Sequence, residues 1–305
     1  MIPIYPQFKK LELSDREIVQ KHLTNFLPYS DYNFVSLWSY DTKQQIQISY
    51  LHENLIVRFQ DYLKGQPFYS FLGTSEISSM CKLLIERSAR ENLPPLVKLI
   101  PEITVESLMK TRHELNIAED MDNFDYILSI KELIEMKGNK FGPKRNFLNR
   151  FNRLHAASVE TRIIDLTDHA IQKKIIDLFI DWEKMKNKSR NETTIELQAI
   201  NRLFQGTELF KLASIGLFYR ERLIGFSINE IVHNQYGIIH FEKADISYTG
   251  IFTYLKQQTA KYLSQQGCIY INYEQDLGID GLRKAKLSYR PSHYFKKYTI
   301  SRNQI

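Results

Sequence analysis

The chain has 305 residues, 43% hydrophobic and 25% charged, with 12 glycines and 9 prolines; this balance excludes a disordered or fibrous chain and suits a globular protein of about two domains. A formal net charge of +6 and a pI near 9.0 favour an anionic partner: a phosphate-bearing cofactor, a nucleic acid or an anionic lipid. No window approaches the ~18 uncharged apolar residues of a membrane span, MIPIYPQFKKLELSD is no signal pattern, and Cys81 and Cys268 lack metal-ligand spacing, so buried thiols in a cytoplasmic, reducing setting are expected.

In chain order, SDREIVQKHLTNF opens with Ser14 and Glu17 as a capping box and predicts a helix. QIQISYL, NLIVRFQ and QPFYSFLG predict three strands, SEISSMCKLLIERSAREN a helix, LVKLI a strand, TVESLMKTRHEL a helix over 104–115, and FDYILSI a strand. KELIEMKGNKFGPKRNFLNRFNRLH then forms a basic helical bridge over about 138–155, with Phe147, Phe151 and Leu154 as its buried stripe.

The second half begins with the strand SVETRIIDL. A helix follows across HAIQKKIIDLFIDWEKM, N-capped by Thr167, and another across TTIELQAINRLF, where Thr193 and Glu196 fit a capping box. LFKLASIGLFYR, RLIGFSINEIV and YGIIHFEKA form a three-stranded meander. TGIFTYLKQQTAKYLSQQG is a helix, CIYINYE a strand, GIDGLRKAKLS a short helix and SHYFKKYTIS a closing strand. This order resembles the GNAT-type N-acyltransferase fold, whose fourth and fifth strands part to admit the acyl donor. The first half repeats it: Phe71 falls near Phe241 and Ile100 near Ile271, an offset of about 170 residues. The expectation is an α+β protein of two tandem GNAT-type domains, 1–130 and 131–305, each a mixed, mostly antiparallel sheet flanked by helices.

Alternation along YGIIHFEKA places Ile238, His240, Glu242 and Ala244 on one face and Ile239, Phe241 and Lys243 on the other. A carboxylate on so apolar a strand is costly unless paired or used. Glu242 is the candidate general base, with an ion pair to a Lys or Arg as the structural alternative. On the next strand Tyr270, Asn272, Glu274 and Asp276 share a face; Asn272 is a candidate oxyanion donor and Asp276 a further catalytic candidate. Gly278 and Gly281 then turn the chain so that Arg283, Lys284 and Lys286 return beside those carboxylates, to hold phosphates or neutralise Glu274 and Asp276. ADISYTGIF stands where GNAT enzymes carry a glycine-rich pyrophosphate loop and has only Gly250, at the start of a helix whose amides suit an anion. The equivalent of Glu242 in the first half is Leu72.

FDYILSIKELIEMKGNKFGPKRNFLNRF, HFEKADISYTG and INYEQDLGIDGLRKAKLSYRPS resemble the C-terminal domain family of phosphatidylglycerol lysyltransferases. The resemblance implies tandem GNAT-type domains related to Fem-type aminoacyltransferases, with aminoacyl-tRNA as donor. Its motif positions are Lys144, Arg145 and Asn146, then Glu242 and Lys243, then Asn272, Glu274, Gln275, Asp276, Arg283, Lys284 and Lys286. The lipid-modifying relatives carry a multi-span membrane domain ahead of this one, so a protein N-terminus, a peptide or a small amine is the expected acceptor here. Three readings follow: an aminoacyl-tRNA-dependent transferase, an acyl-CoA-dependent one, or a non-catalytic module whose basic surfaces bind tRNA or an anionic membrane.

Overall fold

Two runs of β-branched and aromatic residues at period two make the cores of two sheets, and helices with apolar stripes cover their faces. The computed structural model describes residues 1–109, 115–186, 190–233 and 235–303. The chain divides into a first unit of Met1–Asp125, Gln275–Asp280 and Tyr294–Ile305 and a second of Tyr126–Glu274 and Gly281–His293.

In the first sheet, β1 (Lys9–Lys10), β2 (Gln47–Leu51), β3 (Asn54–Gln60) and β4 (Pro67–Leu72) run antiparallel, and β4 pairs in parallel with β5 (Leu96–Pro101) at Tyr69 and Val97. The sheet is completed by β6 (Leu115–Glu119). Its helices are α1 (Arg16–Leu23), α2 (Phe34–Tyr40), α3 (Ile77–Arg90) and α4 (Glu102–Met109). Met80, Cys81 and Leu84 of α3 pack on Ile56, Phe71 and Ile100, each side chain contributing roughly 1.5–3 kcal/mol of burial.

The second sheet runs β7 (Asp125–Ser129), β12 (Tyr270–Asn272), β11 (Tyr236–Ala244), β10 (Arg222–Val232), β9 (Ile215–Tyr219) and β8 (Val159–Ile163), with β13 (His293–Phe295) outside β7. The pairings β7 with β12, β11 with β10, β10 with β9 and β9 with β8 are antiparallel, and β11 with β12 is parallel. An antiparallel meander ending in one parallel pair is the GNAT-type layout, and both sheets have it. The helices are α5 (Ile130–Glu135), α6 (Gly142–Leu154), α7 (His169–Met185), α8 (Arg190–Phe204), α9 (Ile251–Gln265) and α10 (Asp280–Leu287).

SHYFKKYTIS, read as one closing strand, is two: β13 belongs to the second sheet, and β14 (Lys297–Arg302) lies in the first, between β5 and β6. In the second sheet the matching place beside β12 is taken by β7, from the end of the first half. A contiguous division at 130/131 therefore differs from the units, because a strand's partner is chosen by edge complementarity and not by sequence proximity.

Several caps also differ from expectation. Asp168, not Thr167, caps α7 by accepting the Ala170 amide at 2.7 Å. Thr193 lies inside α8 and donates its hydroxyl to Glu183. Glu12 and Asp15 form the capping box ahead of α1 in place of Ser14 and Glu17. The last residues of the helix expected over 104–115, 110–114, lie outside the described residues. In α6 the buried positions are Leu148 and Phe151, whereas Phe147 and Leu154 are 49% and 53% exposed. The inward face is set by Phe151 stacking on Tyr254 of α9, ring centroids 4.4 Å apart, which turns Phe147 and Leu154 outward. Cys81 and Cys268 are buried free thiols; burial pushes Cys81 up to about 12.

Candidate active site

Strand β11 pairs with β12 only through 236–238, so residues 239–244 continue without that neighbour. Partnership with β10 is broken by a bulge: Phe241 faces Ile228 and Ile239 faces Asn229, leaving His240 as the extra residue. The bulge breaks the expected alternation. Ile239 packs with Ala260 and Leu263 of α9, and beyond the bulge Ala244 packs with Ile251 and Leu255 of the same helix. His240 instead turns to Glu230 at 3.4 Å and Glu274 at 3.5 Å. Burial alone would lower its pKa, but the two carboxylates outweigh it and hold the imidazolium up to about 9.

Glu242 points to the α9 side. Its carboxylate, 6% exposed, lies 2.7 Å from the Lys256 Nζ, and Lys256 is fully buried. The two charges touch, and among the described residues Glu242 Oε2 and Lys256 Nζ make no further hydrogen bond beyond this contact. The Lys256 ammonium sits 3.4 Å from the centroid of the Tyr273 ring, and the Tyr273 hydroxyl donates to Glu242 Oε1 at 3.4 Å. Burial holds Lys256 below the usual lysine range against the pull of Glu242. Burial, reinforced by the Glu242 charge, raises Tyr273 far above the usual phenol range, so it keeps its proton.

Two more lysines close on the same rings. Lys144 of α6 stands 3.8 Å over the Tyr289 ring, which meets Tyr273 edge-on at 6.1 Å. Lys286 of α10 is 4.4 Å from the Tyr273 centroid and donates to the Tyr273 carbonyl. Burial first, and the Lys256 charge second, bring Lys144 down to about 8. The site thus gathers three ammoniums, one carboxylate and two phenols from α6, β11, α9, α10 and the segments after β12 and after α10.

Of the residues named from sequence, Glu242, Lys144 and Lys286 come together here; Lys256, Tyr273 and Tyr289 are additions. Lys243 takes the opposite face, paired with Glu196 and 4.6 Å from the Trp182 ring centroid. Asn272 is buried, and its Oδ1 accepts the Glu274 amide at 2.8 Å. Glu274 lies on the His240 side, its Oε1 3.5 Å from His240 Nδ1. Extended geometry ends at Asn272, and Glu274 is left-handed with φ 55°. Asp276 belongs to the first unit, where it accepts the Gly278 amide at 2.8 Å as a turn residue. Gln275, in that unit too, donates to Asp31. Arg283 is half-buried and Lys284 exposed on α10.

Arg145 clasps the end of α5, donating to the carbonyls of Met136 at 2.6 Å and Gly138 at 2.8 Å. Asn146 is exposed. Gly250 has φ 92°, and a Cβ there would lie 2.2 Å from the Phe147 carbonyl oxygen. The space beside this glycine is filled by the backbone of α6, so what demands glycine is helix packing.

The sequence model of the family described as "Phosphatidylglycerol lysyltransferase, C-terminal" matches residues 25–301. The chain belongs to this family. Among solved structures, a conserved protein of unknown function from Bacteroides thetaiotaomicron is similar over 99% of this chain and 100% of its own, with 27% identity and a TM-score of 0.84. L-PGS from Bacillus licheniformis, at 13% identity and TM-score 0.61 over 100% of this chain and 95% of its own, shares the fold. An uncharacterized protein of Mycoplasmoides gallisepticum is 23% identical over 197 residues; the match spans 63% of this chain and 60% of that protein. Among the described residues no helix is long and apolar enough to cross a membrane.

Proposed function

We propose that this protein is an aminoacyltransferase that takes its acyl group from aminoacyl-tRNA and passes it to an amine or hydroxyl acceptor beside Glu242 in the second unit. The observation that carries this reading is the contact of one buried carboxylate with both a buried ammonium and a protonated phenol, beside the point where β11 outruns β12. Family membership supplies the reaction class.

The acceptor's nitrogen or oxygen attacks the ester carbonyl carbon of the donor, and its proton passes to Glu242. Lys256 offsets negative charge as it develops on the carbonyl oxygen. The bond to the ribose oxygen breaks, that oxygen takes the Tyr273 proton, and Glu242 returns its proton to Tyr273 across their 3.4 Å hydrogen bond. Arg150 and Arg153 on the exposed side of α6, with Lys284 on α10, offer cations to tRNA phosphates. The acyl-CoA alternative loses its main support, since the loop at Gly250 is packed against α6.

The test pairs binding with turnover. Charged and uncharged tRNA and coenzyme A are titrated at two salt concentrations, and transfer from aminoacyl-tRNA to a panel of amines is followed with wild type and Glu242→Gln. Preference for charged tRNA and a loss of roughly 10²–10⁴ in transfer by the variant, with donor affinity kept, is the expected result. Saturable coenzyme A binding without tRNA preference, or full activity of the variant, overturns it.

A further inference from the structure

The first unit encloses a cavity of about 180 Å³ whose lining residues all belong to that unit. A β-bulge shapes it. Lys98 and Leu99 of β5 stand between the pairs Val97 with Ile300 and Ile100 with Tyr298, so two residues face the single Thr299, and both bulge residues line the cavity. Leu99 is left-handed with φ 58°, a conformation that a bulky side chain adopts only under constraint. Lys98 Nζ lies 3.5 Å from Asp61 Oδ2 and 5.2 Å from the Phe68 ring centroid. An ammonium has three donors, so Lys98 can hold Asp61 and a ligand carboxylate together. Further carboxylates come from another segment, in Asp120 and Asp122 around the turn Met121–Asn123. Asp120 accepts from Asn123 at 2.9 Å and from Thr299 at 3.3 Å, and the roughly four acceptor sites of a carboxylate let it take an ammonium as well. Between β4 and β5 the space is taken by the fully buried Tyr32, whose hydroxyl lies 2.9 Å from the Phe71 carbonyl oxygen and 3.3 Å from that of Leu99. The cavity is therefore separate from that gap and is not a second acyl-donor cleft.

We propose that this cavity binds a free α-amino acid with a short aliphatic side chain: its carboxylate on Lys98, its ammonium on Asp120 and Asp122, and its side chain against Leu63, Phe68, Leu99 and Leu277. Three carboxylates, Asp61, Asp120 and Asp122, and two ammoniums, Lys64 and Lys98, line the space, a near balance that favours a zwitterion over an ion of either sign. Size points the same way. A cavity of about 150 Å³ takes benzene, so one of about 180 Å³ suits a molecule of roughly six to nine non-hydrogen atoms, the range from alanine to leucine. This binding does not rest on the transferase reading.

The test reads binding without turnover. Valine, isovalerate and isobutylamine, which separate the carboxylate and the ammonium of one side chain, are titrated at constant ionic strength into the full chain, following its melting temperature and the backbone amide signals of Leu99, Asn123 and Leu277. The expected result is that valine alone raises the melting temperature and shifts those signals, with a dissociation constant on the order of 1 mM or tighter. Lys98→Met and Asp122→Asn should each weaken valine roughly tenfold or more. Asp122 is exposed and its amide keeps its shape, so that variant remains readable even where Lys98→Met disturbs the bulge. Either half-molecule binding as tightly as valine, valine affinity unchanged in Asp122→Asn, or no saturable effect of valine overturns the proposal. Because no tRNA is present, a chain that binds valine but transfers nothing sinks the transferase reading alone, and one that transfers without binding valine sinks this site alone.

Discussion

Lys297 in the first unit and Lys256 in the second are both fully buried, and their surroundings differ in kind. Lys297 donates to Asp31 and, at 2.6 Å, to Asp125. Asp125 also accepts the Ser30 amide at 2.8 Å and the Ser30 hydroxyl at 2.6 Å, while Asp31 accepts from Gln275 and Tyr62. Burial would lower the Lys297 pKa, but the two carboxylates outweigh it and raise it. Lys256 has one carboxylate within contact among the described residues, and burial outweighs it and lowers the pKa. A buried lysine surrounded by acceptors is a structural tie; one held by a single carboxylate and ring faces keeps a perturbed proton affinity of the kind that reactive sites use. In the first unit His22 Nε2 lies 2.8 Å from the Leu72 carbonyl oxygen.

The largest effect that separates the two lysines is on stability. Lys297→Met leaves two carboxylates buried without their cation and should cost about 3–5 kcal/mol, whereas Lys256→Met combined with Glu242→Gln should cost less than about 1 kcal/mol or stabilise, as urea unfolding will show. Next, Gly250→Ala forces a side chain into a left-handed position and against the α6 backbone. It should cost about 2–4 kcal/mol and loosen Lys144 from Tyr289 while removing no charge from the site, read by unfolding and by the Lys144 resonance.

The third effect is a pH dependence. His240 has a folded pKa of about 9, above the ordinary 6.5, so the folded chain binds more protons between these values. Its stabilising contribution, on the order of 3 kcal/mol, is complete below pH ~6.5 and lost as pH rises through ~9; unfolding midpoints of His240→Gln should lack that decline. The smallest effect has the opposite sign. Lys144, at about 8 against an ordinary 10.5, binds protons better unfolded, so its contribution makes stability rise between those values, and Lys144→Met should flatten the rise.

Much of the second unit's site was legible from pattern. Glu242 stood out as a carboxylate on an apolar strand, and Lys144 and Lys286 as motif positions near it. Lys256 was hidden because a lysine in TYLKQQTAKYL reads as the solvated side of a helix, and only the packing of α9 against β11 makes it the partner of Glu242. Tyr273 and Tyr289 were hidden likewise, as a tyrosine near a strand end or a helix end carries no signal of whose ring it meets. The expected placement of Asn272 and Glu274 follows from carrying strand alternation on through 270–276, whereas the strand ends at Asn272 and Glu274 is left-handed; nor can the bulge at His240 be read from IIHFE. The period in α6 was right, but its phase was set by Phe151 on Tyr254.

Element types, the meander that ends in a parallel pair, and the carboxylate on β11 follow from local periodicity and residue chemistry, so the sequence by itself determined them. The tertiary structure alone decided that β14 completes the first sheet and β7 the second, that His240 is the extra residue of a bulge, and that Lys256 faces Glu242. Those outcomes depend on which edges and faces meet across long sequence separations, and the free energy that selects among them comes from desolvating whole surfaces together, which no short window of residues contains.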